Sequence, residues 1–183
     1  MEKKIKLHDK TFRPYIPYEE FSKDIDRVAG ELNRDFKYCT DVPIILCILN
    51  GAIPFTAEIL KRLDFPCELA SVKVSSYVGT KSTGVMEIKH PLTCDVKGRR
   101  VIIVEDIVDT GYTMDMMKGY LREKGATDSY ICTLFFKPES YKFFDSIKID
   151  YKARDIQNQF IVGFGLDYNE LGRNTKDIYI LDE

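Results

Sequence analysis

The sequence predicts an α/β protein, a twisted and mostly parallel sheet flanked by helices. Val101-Ile102-Ile103-Val104 is a β-branched apolar run of the kind found in strands buried on both faces. Behind it Met114, Met117 and Leu121 recur at helical spacing. Val42 to Leu49 repeats the pattern: a continuous apolar run, a Gly turn, then the helical series Ile53, Phe55, Ala57, Ile59 and Leu60. Ser129 to Phe136 is another such run. Strand and helix in alternation point to parallel strands joined by helical crossovers.

The 183 residues, 44% of them hydrophobic, suffice for one substantial core, so a single domain is expected. A formal charge of −2 gives no electrostatic basis for a nucleic-acid surface. No apolar run approaches the length of a membrane span, and the first residues lack the apolar centre of an export signal, so a soluble cytoplasmic protein is expected. Cys39, Cys47, Cys67, Cys94 and Cys132 are odd in number and widely spaced, which fits isolated thiols better than a disulfide framework. His8 and His90 form no metal-ligand or catalytic-triad pattern.

Along the chain, the first fifteen residues read as irregular, punctuated by Pro14 and Pro17. From Pro17 an amphipathic helix is predicted, with Phe21, Ile25, Val28, Ala29, Leu32 and Phe36 on its apolar face. The strand through Leu49 runs into Asn50-Gly51-Ala52, a turn of the kind that opens a helix N-terminus towards an anion. Leu69 to Val74 can form a strand, and the polar stretch from Ser75 to Gly84 reads as a loop. The strand ending at Phe136 delivers Lys137 to the edge of the sheet where ligands of parallel α/β proteins gather. A strand and turn follow from Asn158 to Arg173, and Ile178 to Leu181 reads as a short final strand.

Residues 105 to 113 set a chemical problem. Thr110, Gly111 and Thr113 suit a phosphate at a helix start, whereas Glu105, Asp106 and Asp109 repel one. A ribose phosphate carrying Mg²⁺ resolves the conflict. The turn then holds the phosphate, while the carboxylates accept hydrogen bonds from sugar hydroxyls and lie near the metal. Asp109 or Thr110 alone would read as a helix cap, but the whole run from Val101 to Thr113 is specific.

That run resembles the phosphoribosyl pyrophosphate motif of the type I phosphoribosyltransferases, in the form found among the hypoxanthine-guanine enzymes. The resemblance extends from about Pro17 to Glu183. It implies a core over residues 37 to 150 and a small hood built from residues 1 to 16 and 151 to 183. It assigns Glu105 and Asp106 to the ribose, the Asp109 backbone with Thr110, Gly111, Tyr112 and Thr113 to the 5′-phosphate, and the Asp109 side chain to acid-base work near N7 of the base. Asn50, Gly51 and Arg173 are implied to hold pyrophosphate. Asn50 stands where relatives often have a basic residue, and the loop carries a cis non-proline peptide in some relatives. Lys137 is implied to contact the exocyclic oxygen of a purine, Phe160 to stack on the ring and Ile161 to offer backbone groups. Ser76 and Tyr77 belong to a lid, and Glu105, Asp106 and Asp167 to the Mg²⁺ site. Tyr151 to Asp155 departs from the family's aromatic and Gly-rich pattern.

The implied reaction joins phosphoribosyl pyrophosphate to hypoxanthine or guanine in a purine-salvage dimer or tetramer. Two alternatives remain at this point: a nucleotide-sensing regulator on the same fold, and a transferase that prefers xanthine. A regulator should show a basic face and could dispense with Asp109, Lys137 or Phe160, all of which are present.

Overall fold

A computed structural model of the protein describes residues 3 to 76 and 86 to 182. The elements in chain order are β1 (Ile5–Leu7), β2 (Lys10–Ile16), α1 (Tyr18–Phe36), β3 (Ile44–Leu49), α2 (Ile53–Leu60), β4 (Glu68–Ser76), β5 (Met86–His90), β6 (Arg100–Val108), α3 (Tyr112–Glu123), β7 (Asp128–Phe136), β8 (Tyr151–Asp155), β9 (Ile161–Val162) and β10 (Ile178–Leu181). The main sheet has the order β5-β4-β3-β6-β7-β8. All its neighbours pair in parallel except β5, which returns antiparallel along β4.

Alternation along β6 explains why its apolar run is continuous. Ile102 and Val104 enter the core under α1 and α2, and Val101 and Ile103 enter the opposite core under α3. From β3 the chain crosses by α2 to β4 on one side; from β6 it crosses by α3 to β7 on the other. The carboxyl ends of β3 and β6 therefore face each other where the winding reverses, the crevice in which doubly wound sheets bind ligands.

Both chain ends supply a second sheet, ordered β1-β2-β10-β9 and antiparallel throughout. The first fifteen residues are thus not irregular. Phe12 and Ile16 are buried, and Pro14 lies beyond the last residue paired with β1, so its missing N–H breaks no ladder bond on that side. This sheet is fastened to the core where Asp177 accepts the backbone N–H of Tyr18 at 2.8 Å, capping α1 in place of Pro17.

Tyr151 to Asp155, expected in the hood, instead forms the edge strand β8 of the main sheet. Tyr151 and Ala153 are buried in the core that contains the apolar face of α1, while Arg154 reaches Asp24 and Glu20 on that helix. Arg27 donates to the carbonyls of Lys152 and Ala153. The edge strand is therefore held by α1 as well as by β7. The strand β5 was not anticipated from the sequence. The proposed lid falls largely outside the described residues: Tyr77 is not among them, and Ser76 is seen as the last residue of β4, paired with Met86. Among the described residues no helix is long and apolar enough to cross a membrane.

Candidate active site

A cavity of about 510 Å³ occupies the crevice between β3 and β6. Its walls include Asn50 and Gly51 after β3, residues 105 to 111 and Thr113 along the end of β6, and Arg173 from the hood. Most of the polar positions singled out in the sequence thus meet in one place.

The loop after β3 begins with a cis peptide between Leu49 and Asn50. Gly51 then passes directly against Asp106. A Cβ at Gly51 would lie 1.7 Å from Asp106 Oδ2, so only glycine leaves room for that carboxylate. A second glycine locks the hood onto the same loop. Gly165 has φ +103°, and a Cβ there would fall 2.0 Å from the Gly51 carbonyl oxygen.

Glu105 and Asp106 bring two carboxylates to the floor. Asp106 is buried and accepts the Ile107 N–H at 2.7 Å. Burial raises its pKa, opposed by its hydrogen bonds and by the nearby charge of Arg173. Burial pushes Glu105 well above the usual carboxylate range, helped by the neighbouring Asp106 charge. Glu105 Oε2 is buried without a hydrogen-bond partner among the described residues. A buried carboxylate oxygen in this state fits a hard cation or a sugar hydroxyl.

Beyond them, Gly111 takes φ +90° and caps α3 with no side chain, leaving the first N–H groups of the helix open to a ligand. A Cβ at Gly111 would lie 2.4 Å from the ring of Tyr141, a packing contact not foreseen in the sequence. Asp109 starts this turn, and its Oδ2 stands 3.0 Å from Lys137 Nζ. Lys137 is brought there by its own backbone, whose N–H donates to the Val108 carbonyl at 3.0 Å.

Arg173 spans the hood turn. It pairs with Asp167 at 2.8 Å and Glu170 at 3.0 Å and donates to the Gly165 carbonyl at 2.8 Å, while its Nε is buried with no partner among the described residues. Asp167 also accepts the Glu170 N–H at 2.8 Å. Asp167 is therefore tied to the cavity through Arg173. Among the described residues no three His, Cys, Asp or Glu side chains are gathered as a metal cage, so Glu105, Asp106 and Asp167 do not converge on one point. Two adjacent carboxylates remain, a donor set that suits Mg²⁺, which commonly keeps several waters and completes its shell with substrate phosphates.

The proposed base contacts lie farther out. Phe160 is 46% exposed, packed edge-on against Tyr168 at 5.8 Å and tilted against Phe12 at 6.1 Å. Phe160 lines a separate cavity of about 300 Å³ rather than the crevice, and Ile161 is buried in β9. Ile107 and Met114 supply apolar walls; the sequence reading placed Met114 on the apolar stripe of a helix and gave neither residue a place in the site, though both adjoin the acidic turn.

Known proteins resemble this chain in sequence and in fold. Residues 17 to 169 match the phosphoribosyl transferase domain family. The chain is 40% identical over 169 residues to the hypoxanthine-guanine phosphoribosyltransferase of Streptococcus pneumoniae strain R6, covering 92% of each chain. It is 37% identical over 165 residues to the hypoxanthine-guanine-xanthine phosphoribosyltransferase of Tritrichomonas foetus, covering 90% of this chain and 88% of that one. A hypoxanthine phosphoribosyltransferase from Staphylococcus aureus superposes with a TM-score of 0.84 at 31% identity, covering 93% and 91% of the two chains.

Proposed function

The chain belongs to the phosphoribosyl transferase domain family, and from that premise we propose that it is a purine-salvage enzyme acting on 6-oxopurines. It transfers the 5-phosphoribosyl group of phosphoribosyl pyrophosphate to N9 of hypoxanthine, and of guanine, releasing pyrophosphate. The observation that carries this reading is the meeting, in one crevice, of an open helix N-terminus with the buried pair Glu105 and Asp106.

In this reading the N–H groups of residues 110 to 113 bind the 5′-phosphate, and Glu105 and Asp106 accept hydrogen bonds from the ribose hydroxyls. The backbone at Asn50 and Gly51, with Arg173, binds the pyrophosphate. Glu105 and Asp106 would also hold a substrate-bound Mg²⁺, with Asp167 acting through water or pyrophosphate. Bound there, Mg²⁺ would offset charge on the leaving pyrophosphate.

Loss of pyrophosphate leaves positive charge on the sugar, and the attacking base must shed a proton. Asp109 takes that proton at N7 and returns it in the reverse direction. The Lys137 ammonium donates to the exocyclic oxygen at position 6. It cannot accept a hydrogen bond, so it disfavours the amino group of adenine. Phe160 stacks on the base, and Ile161 offers its backbone to the far edge. A lid through Ser76 and Tyr77, the dimeric or tetrameric assembly and the cytoplasmic location belong to the same proposal.

The test is incubation with phosphoribosyl pyrophosphate, Mg²⁺ and hypoxanthine, with nucleotide and pyrophosphate measured by mass spectrometry. Equal amounts of inosine monophosphate and pyrophosphate are expected, and none after chelation of the metal. Binding of phosphoribosyl pyrophosphate without any nucleotide product would instead favour a sensor.

A further inference from the structure

We infer that Lys142 is a further binding residue for the 5′-phosphate, an ammonium carried to the outer edge of the phosphate turn by the loop that follows β7. The inference rests on the phosphoribosyl reading above and names a residue that reading does not use.

The loop is fastened to the turn. The Lys142 N–H donates to the Thr110 carbonyl at 3.1 Å. Its neighbours Tyr141 and Phe143 fill the space that Gly111 leaves by lacking a side chain; a Cβ there would meet them at 2.4 and 2.9 Å. Tyr112, the first residue of α3, stands edge-on to Phe143 at 5.1 Å. Lys142 Nζ lies over the Tyr112 ring, 5.4 Å from its centre. A cation over an aromatic face is held in place without surrendering its charge. Lys142 is exposed, and among the described residues its ammonium forms no ion pair.

Charge balance supplies the need. The crevice sets three carboxylates, Glu105, Asp106 and Asp109, against the guanidinium of Arg173, which Asp167 and Glu170 already engage. Lys137 is likewise paired with Asp109. The residues of the phosphate turn, 110 to 113, include no cation. Among the described residues that line the crevice Arg173 is the one cation, so a polyanionic substrate meets a helix dipole and an already engaged guanidinium, and Lys142 would add an unpaired charge. The Lys142 backbone is hydrogen-bonded to Thr110 within the turn, and its flexible four-carbon stem gives the ammonium freedom to leave the Tyr112 ring.

Titration calorimetry with ribose 5-phosphate reads the turn without requiring turnover. Lys142→Met should weaken binding by about 3- to 10-fold and flatten the dependence of affinity on salt, while Lys142→Arg retains both. In steady state the same Met variant should raise KM for phosphoribosyl pyrophosphate with kcat and the KM for hypoxanthine held. Affinity and salt dependence equal to the wild type in Lys142→Met, or no binding of ribose 5-phosphate by the wild type, would overturn the inference. A wild type that binds ribose 5-phosphate through Lys142 yet forms no nucleotide would defeat the transferase reading alone, so the two failures are separable.

Discussion

Asp109 Oδ2 and Lys137 Nζ stand 3.0 Å apart, joining the turn after β6 to the end of β7. Lys137 is 7% exposed, and its ammonium carries three donors. One is spent on Asp109, leaving two for a base that enters beside the pair. The proposed general base and the proposed reader of the purine oxygen are thus held in register by each other. The pair also supplies a counter-charge for an ammonium that would otherwise be buried alone.

Asp109→Asn keeps the shape and removes the basic oxygen. Turnover should fall by about 10²- to 10⁴-fold while binding of the product nucleotide changes little. Steady-state kinetics with parallel calorimetry check both arms, and unchanged turnover would refute the role of Asp109.

Lys137→Ala removes the donor to the base. A hydrogen bond from a charged group is worth about 1.5 to 3 kcal/mol, so hypoxanthine should bind roughly 10- to 100-fold more weakly in the presence of pyrophosphate and Mg²⁺. Equal affinity in calorimetry would count against the assignment.

Glu105→Gln separates stability from function. The wild-type side chain is a carboxylate with a buried, unpartnered Oε2 beside Asp106, and burial raises its pKa. A raised carboxylate pKa stabilises the fold fully below the unfolded value of about 4.5, and that contribution is lost as pH rises through the folded value. In metal-free buffer at neutral pH the Gln variant should therefore melt about 2 to 4 °C higher, a gain of roughly 1 kcal/mol, while losing ribose and metal contacts. A lower Tm together with intact activity would contradict the reading of the pair.

Glu58 gives the opposite pH signature. Burial pushes its pKa up, but hydrogen bonds from Lys61, Arg62 and Tyr18 overcome this and hold it down to about 2. A depressed carboxylate pKa stabilises the fold above the unfolded value and is lost as pH falls from about 4.5 towards 2. Glu58→Gln should lower Tm by about 3 to 10 °C at pH 7, and the gap should narrow below about pH 4.5 and close only as pH approaches about 2. Parallel melting curves over that range would expose a gap that does not close.

The central sheet was legible because β3, β6 and β7 are continuous apolar runs whose residues feed two cores. That Glu105, Asp106, Asp109 and Thr110 share one crevice was legible because they stand close together in sequence at the end of one strand. The hood was harder to read. β1 and β9 span only Ile5–Leu7 and Ile161–Val162, too short for a periodic signal, and Pro14 disguised β2. The strand β8 was misplaced because the features that hold it in the main sheet are partners distant in sequence, the Arg154 pairs with Asp24 and Glu20 on α1. Contacts made through absent side chains, such as Tyr141 on Gly111, leave no pattern in a single chain.

The most direct test of the account is the ratio of kcat/KM for hypoxanthine over adenine, measured with phosphoribosyl pyrophosphate and Mg²⁺ and extended to guanine, xanthine and a pyrimidine base. A site that donates to the 6-oxygen through Lys137 should favour hypoxanthine over adenine by at least about 100-fold, and the Lys137→Ala variant should lose most of that preference. Equal use of adenine, or a preference unchanged by the loss of Lys137, would contradict the account.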